Sequence, residues 1–187
     1  MIIYLHGFNS SPQSSKARIL RSYLEERRQG AKFACPQLSH WPDKAVAAGE
    51  TEIARHPKEK ITLVGSSLGG FYATWLAEKH EKRAVLINPA VTPHIGLRAY
   101  LGAQQSSNGD QYELSDEHLR QWKNLVASKV DPDRYLLLVE TGDEVLDYRK
   151  AVRKYRGARQ VVVQGGNHTL ASFPRHIPLI LEFADMT

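Results

Sequence analysis

The chain has a single cysteine, Cys35, among 187 residues, so no disulfide can form within it. Long apolar runs are also missing: the longest are about five residues, against the ~20 that a membrane-spanning helix needs. The first residues, Met1-Ile2-Ile3-Tyr4-Leu5-His6-Gly7, carry no basic leader followed by a long apolar stretch, so they do not read as a secretion signal. These absences lead to the expectation of a reducing, cytoplasmic setting with no membrane span. Without secretion, the sequons Asn9-Ser10-Ser11 and Asn167-His168-Thr169 carry no meaning. The eight histidines form no HExxH or other metal spacing, so no metal or other cofactor is expected. The 13 glycines and 9 prolines are spread without period, which excludes a collagen-like or low-complexity chain.

What is present is ordinary for a globular protein: 42% hydrophobic and 24% charged residues. That length is enough for one domain, residues 1–187, with a real core. The net charge is +5, and part of the excess lies in two stretches with helical pattern. One runs from Lys16 to Lys32 and the other from Arg149 to Arg159. Both read as solvated helix faces. No aromatic residues interleave with the charges in a nucleic-acid motif, so no nucleic-acid partner is expected.

Short apolar runs alternate with amphipathic segments. The runs Ile2–Leu5, Lys32–Cys35, Ile61–Val64, Ala84–Ile87, Tyr135–Val139 and Gln160–Val163 fit buried strands of a parallel sheet. Helical spacing occupies Ser14–Gln29, Asp43–His56, Gly70–His80, Asp116–Ser128, Leu146–Tyr155 and Pro174–Met186. The alternation predicts an α/β sandwich with right-handed crossovers and about six strands. Ala90 to Leu114 breaks it, with a polar middle. A long irregular insertion can be a functional lid or a plain surface excursion. The expectation is a lid-like insertion over about 90–130.

The strongest chemical signal is G-x-S-x-G, as Gly65-Ser66-Ser67-Leu68-Gly69, after an apolar strand and before a helical pattern. Strand–sharp turn–helix is the context in which this motif exposes a serine nucleophile. Ser67 is then the nucleophile, at a helix N-terminus that favours developing negative charge. A dinucleotide fingerprint fails, because Ser67 stands where it needs Gly and Asn88 where it needs an acid. A phosphate-binding P-loop fails for want of Gly-Lys-Ser/Thr. His6-Gly7-Phe8 follows the first strand. Attack on an acyl carbonyl builds an oxyanion that needs waiting backbone N–H groups; Leu68 supplies one and Phe8 is placed for the other. His6 itself reads as structural.

Thr141-Gly142-Asp143-Glu144-Val145-Leu146-Asp147 follows another strand, and Asp143 fits the acid that orients a catalytic histidine. Asp147 is its competitor, although an acid opening a helical pattern is also a good cap. Gln164-Gly165-Gly166-Asn167-His168 follows the last strand, and His168 is the candidate base. The order Ser67…Asp143…His168 is that of the α/β-hydrolases. Cys35, with the nucleophile position already filled, reads as an inert buried thiol.

On these residues, together with Asn9-Ser10-Ser11-Pro12 and Ile87-Asn88-Pro89-Ala90, the chain resembles the α/β-hydrolase superfamily and, more narrowly, the small bacterial YqiA/YcfP-like esterases, the UPF0227 group. The resemblance implies a compact α/β-hydrolase three-layer sandwich lacking the usual first two strands. It also implies a serine esterase or thioesterase whose triad is Ser67, Asp143 and His168. Its partner would be a small acyl ester or thioester. The alternative is a hydrolase fold kept as a ligand-binding or interaction module with an idle triad. Every catalytic role has a candidate residue, which favours the enzyme.

Overall fold

The computed structural model describes residues 1–186. In chain order the elements are β1 (Ile2–Leu5), α1 (Ser15–Glu26), β2 (Phe33–Ala34), α2 (Pro42–Arg55), β3 (Thr62–Ser66), α3 (Leu68–His80) and β4 (Arg83–Ile87). They continue with α4 (Pro93–Gly96), β5 (Gly102–Gln105), β6 (Gln111–Leu114), α5 (Asp116–Asn124), β7 (Tyr135–Glu140), α6 (Tyr148–Lys154), β8 (Arg159–Val163) and α7 (Phe173–Phe183). All six expected strands and all six expected helices occur, most within a few residues of the expected bounds. The strand at Lys32–Cys35 shortens to two residues, Phe33 and Ala34, paired only with Ile2 and Ile3 of β1. Pro36 follows at once, and a proline donates no ladder bond.

Six strands form one sheet in the order β2-β1-β3-β4-β7-β8, every neighbour parallel. The period-2 alternation of the strands divides the core into two layers. Ile3, Leu5, Leu63, Leu86, Leu137 and Val139 face α2, α3, α5 and α6. Ile2, Tyr4, Val64, Val85, Leu136 and Leu138 face α1 and α7. This is a mostly parallel sheet covered by helices on both sides, the α/β-hydrolase architecture. α3 is buried almost all round, from Leu68 to Ala77, as a helix wedged centrally under a sheet must be. Within that layer the indole N–H of Trp122 donates to the Tyr72 hydroxyl at 2.9 Å, so its polar atom is satisfied without water.

Parallel pairing sends every strand's C-terminal end to one edge. The chain passes from β1 outward to β2 and then returns to place β3 on β1's other side. Such a reversal opens a crevice beyond the strand ends, where open α/β sheets bind ligands.

The insertion departs from expectation: Ala90–Leu114 is not irregular. It holds α4, a 3-10 turn over Leu97–Tyr100, and an antiparallel hairpin in which β5 pairs with β6, Gly102 opposite Leu114. Strands of four residues, mostly glutamine and other polar types, carry too weak an alternation to stand out from a loop. The hairpin is tied to the loop after β1. Ser107 N–H donates to Asn9 O at 2.8 Å, Tyr112 OH to Asn9 Oδ1 at 2.6 Å, and Asn9 Nδ2 to Gln104 Oε1 at 3.1 Å.

Several residues of the basic stretches are engaged locally. Arg27 lies 4.7 Å from the Tyr23 ring centroid, Lys154 Nζ donates to Ala127 O at 2.9 Å, and Arg159 pairs with Glu182 at 2.9 Å.

Two glycines make a contrasting test. A Cβ on Gly69 would sit 2.0 Å from Leu5 O and 2.6 Å from His6 O, both backbone atoms that cannot yield cheaply. A Cβ on Gly96, helical at φ −65°, ψ −37°, meets nothing within 4 Å. Gly69→Ala should cost about 3 kcal/mol or more and lower Tm by roughly 6–12 °C. Gly96→Ala should raise Tm slightly, with up to ~1 kcal/mol gained. Differential scanning calorimetry checks both.

Candidate active site

The loops leaving β1, β3, β7 and β8 converge at the C-terminal edge. Ser67 occupies a sharp turn between β3 and α3, with φ 55° and ψ −120°, a left-handed backbone that no ordinary side chain prefers. Three bonds hold it: Ser67 N–H to Ile87 O at 2.9 Å, Gly70 N–H to Ser67 O at 2.9 Å, and Ala90 N–H to Ser67 O at 3.0 Å. The helix must start almost in contact with the strands, which is why glycines stand two residues to either side of the serine. A Cβ on Gly65 would lie 2.3 Å from Gly69 O.

His168 Nε2 lies 3.0 Å from Ser67 Oγ. On its other side, His168 Nδ1 lies 2.9 and 3.0 Å from the two carboxylate oxygens of Asp143. The Asp143 side chain is 1% exposed, and its Oδ1 also accepts the N–H groups of Val145 at 2.9 Å and Leu146 at 2.8 Å. A carboxylate held this way fixes the tautomer: Nδ1–H donates to Asp143, and Nε2 accepts from the Ser67 hydroxyl. Asp147 is elsewhere engaged. It accepts Arg149 N–H at 3.0 Å at the start of α6 and pairs with the Arg149 guanidinium at 2.8 Å. Arg149 beside it holds the Asp147 carboxyl below its usual range.

Phe8 and Leu68 flank Ser67 from two elements. Gly7 brings the turn after β1 against the serine: a Cβ on it would lie 3.4 Å from Ser67 Cβ. Leu68 is the first residue of α3, so its N–H has no intrahelical partner. Neither the Phe8 nor the Leu68 amide donates to a backbone carbonyl among the described residues. The Phe8 ring packs edge-on against Tyr100 and Trp122, with centroids 6.3 and 6.5 Å away, so the insertion steadies this turn.

His6 is a structural residue, 3% exposed. Its Nε2 accepts the Leu38 N–H at 3.0 Å and its Nδ1–H faces Gly7 O at 3.1 Å. Burial lowers its pKa and keeps it neutral. Cys35 is half-buried, and burial pushes its thiol up to about 12, far from a reactive thiolate. Among the described residues no three His, Cys, Asp or Glu side chains gather as a metal site would need, and no helix is long and apolar enough to cross a membrane.

Ser67 and His168 open into a cavity of about 760 Å³. Its walls are mainly apolar, with Leu68, Val91, Leu97 and Phe173 among them, and Lys16 and Lys150 as its cations. The start of the insertion, Ala90 to Tyr100, supplies one wall.

Two residues here have no assigned role in the sequence reading. Glu140 ends β7 and is 1% exposed; it accepts the N–H groups of Asn167, Ala171 and Ser172 at 2.7, 3.0 and 2.8 Å. Asn88, just after β4, accepts Glu140 N–H at 3.0 Å and donates to Asn167 O and His168 O at 3.1 and 3.0 Å. The available signal was an acid directly continuing the apolar run Tyr135–Val139, where a strand residue is sealed from water.

A serine on a strained strand–helix turn, an imidazole and a buried carboxylate thus meet at one edge of a parallel sheet of α/β-hydrolase architecture. The comparisons place it more narrowly. The family model described as Uncharacterised protein family (UPF0227) matches residues 1–185, and the chain belongs to that family. The UPF0227 protein PC1_2487 of Pectobacterium carotovorum subsp. carotovorum (strain PC1) is 22% identical over 187 residues, covering 98% of each chain. Alpha/beta hydrolase domain-containing protein 10 from mouse superposes with a TM-score of 0.75 at 16% identity, over 98% of this chain and 89% of that one. Paleococcus ferrophilus monoacylglycerol lipase gives a TM-score of 0.66 at 16% identity, over 100% and 94%.

Glu140 generates a pH prediction. Burial opposes its ionisation, but the hydrogen bonds from Ser172 and from the Asn167, Ser172 and Ala171 amides outweigh it and hold its pKa below the usual value. A depressed carboxyl pKa stabilises the fold above the unfolded value of ~4.3, and that stabilisation is lost as pH falls through the folded value. Wild type should therefore melt above Glu140→Gln at pH 7, and the gap should narrow as pH falls below the unfolded value of ~4.3. Paired thermal melts between pH 7 and 3 check it.

Proposed function

We propose that the chain is a serine esterase that hydrolyses carboxylic esters, acyl thioesters among them, through a Ser67 acyl-enzyme. The observation that carries this reading is the unbroken relay from Asp143 through His168 to Ser67, at 2.9 and 3.0 Å, opening into an apolar-walled cavity. The monoacylglycerol lipase of like fold supports the same chemistry.

His168 Nε2 takes the Ser67 proton as Oγ bonds to the acyl carbonyl carbon. The carbonyl electrons move onto oxygen, and the N–H groups of Phe8 and Leu68 receive the oxyanion. Asp143 stabilises the imidazolium and keeps the ring aligned. Collapse breaks the bond to the leaving oxygen or sulfur, which takes the proton from His168. Water then gives a proton to the same nitrogen, attacks the acyl carbon, and the acid leaves with Ser67 restored. The residues that do this work need no bound cofactor.

The cavity suits an acid with an apolar chain. Ile95, Tyr100 and Val145, 64%, 52% and 57% exposed, line its mouth, so chain atoms entering there cover apolar surface now in water. Each buried methylene is worth up to about 0.8 kcal/mol, or roughly fourfold in kcat/KM.

A p-nitrophenyl acyl series from acetate to palmitate tests this. kcat/KM should climb by up to about fourfold per methylene and level off once the cavity is filled. Ser67→Ala should remove nearly all turnover. Asp143→Asn should lower kcat by about 10³–10⁴-fold, while Asp147→Asn stays within about threefold. Turnover independent of Ser67 would overturn the serine mechanism; no turnover and no fluorophosphonate labelling would overturn the reading in favour of a binding module.

A further inference from the structure

The loop that carries His168 is irregular and rich in glycine, yet its base must hold still to within a fraction of an ångström. Gly165 and Gly166 adopt φ 76° and 74°, so the backbone between β8 and Asn167 has no secondary structure of its own to rely on. Besides the turn bonds of Leu170 N–H to Asn167 O and Thr169 N–H to Asn167 Oδ1, its hydrogen bonds go to neighbouring elements. Glu140 Oε2 accepts the Asn167 and Ala171 N–H groups and Oε1 that of Ser172, so one carboxylate spans both sides of His168. Asn88 Nδ2 takes the carbonyls of Asn167 and His168, while its Oδ1 accepts the Glu140 amide. Both side chains are almost wholly buried, at 1% and 2% exposure. The packing leaves no slack, because a Cβ on Gly166 would fall 1.9 Å from Glu140 Oε2.

From this geometry we infer that Glu140 and Asn88 are positioning residues that clasp the 167–172 loop and set the imidazole of His168 between Ser67 and Asp143. Neither touches substrate or the reacting atoms. Glu140 bonds backbone amides, not the ring, so it is no second triad acid. Its carboxylate does for the loop what a sheet partner does for a strand: it supplies acceptors for the Asn167, Ala171 and Ser172 amides. Charge matters, because three donors converge on two oxygens. In Glu140→Gln one of those oxygens becomes an N–H₂ group facing an N–H. Asn88 couples the clasp to the Ser67 elbow, because the residue before it, Ile87, accepts the Ser67 N–H. The serine's backbone and the histidine's loop are thus set from adjacent residues of one strand end.

The catalytic half of this inference rests on the esterase reading, so the test has two arms. In the first, wild type, Glu140→Gln and Asn88→Gly hydrolyse a p-nitrophenyl ester, with active sites counted by fluorophosphonate. Glycine keeps the φ of 39° that Asn88 adopts while deleting its three bonds. A displacement of about 1 Å can cost about 10²-fold, so kcat per labelled site should fall about 10- to 100-fold in both variants, with KM within twofold. A kcat per labelled site within twofold of wild type, whatever the change in Tm, would reduce the pair to a structural role and overturn the inference. Where Glu140→Gln fails to fold, Asn88→Gly carries the same comparison. The second arm follows amide hydrogen exchange at Asn167, Ala171 and Ser172, which needs no activity. These amides should be protected in wild type and exchange faster in Glu140→Gln; fast exchange in wild type would overturn the clasp. A wild type without Ser67-dependent turnover sinks the esterase reading alone, and the exchange arm then decides the clasp.

Discussion

The close crossing of α3 over the ends of β1 and β3 is the constraint on which the rest of the site depends. Gly69 stands so near Leu5 O that any side chain would collide, and Gly65 stands as near to Gly69 O. That approach goes with the left-handed backbone at Ser67, the residue that opens α3. It also brings the turn after β1 within contact of Ser67, so Phe8 and Leu68 stand beside the serine on two elements held together by one set of contacts. A looser crossing would keep the sheet and lose the site.

The strain is distributed in a telling way. Among the described residues, seven other than glycine have positive φ. Arg28, Glu81 and Asp185 follow helix ends, where a left-handed residue closes the last turn. The other four, Asn9, Ser67, Asn88 and Leu170, lie on the loops leaving β1, β3, β4 and β8. Two are asparagines, which tolerate this region best. Leu170 tolerates it poorly. It is held because its side chain is 1% exposed in the core and its amide reaches Asn167 O at 3.0 Å. Strain of this kind, of order 1–3 kcal/mol per residue, persists only where surrounding structure over-determines it. Here that surrounding structure is the extension of the parallel ladder: Ser67, Asn88 and Thr141 each donate to a carbonyl of the neighbouring strand at 2.9 Å.

Much of this was legible in the sequence because the strongest signals are local. Continuous Val, Ile and Leu runs named the strands buried on both faces, and G-x-S-x-G between a strand and a helix named the elbow. The competition between Asp143 and Asp147 was visible as two acids near one strand end. The two differ in which backbone amides each meets: Asp147 is used up as a helix cap with Arg149, while Asp143 turns inward to His168. What stayed hidden is non-local. The β5–β6 hairpin gains its order from Asn9, about a hundred residues away in sequence. Glu140 and Asn88 acquire meaning only when β4 and β7 lie side by side, which no spacing along the chain announces.

The hidden part is also what the histidine requires. A nucleophile's position follows from a short motif because the turn itself dictates the geometry. A base on a glycine-rich loop has no such guarantee, and its precision must come from groups that the chain delivers from other strands. Burying a carboxylate to do this costs desolvation, and only several charge-assisted bonds to amides recover it. Glu140 has three from the His168 loop. A neutral acceptor would bury more cheaply but would bind those amides less strongly. The arrangement therefore exchanges sensitivity to acid, through a carboxylate that must stay ionised, for a fixed His168 loop.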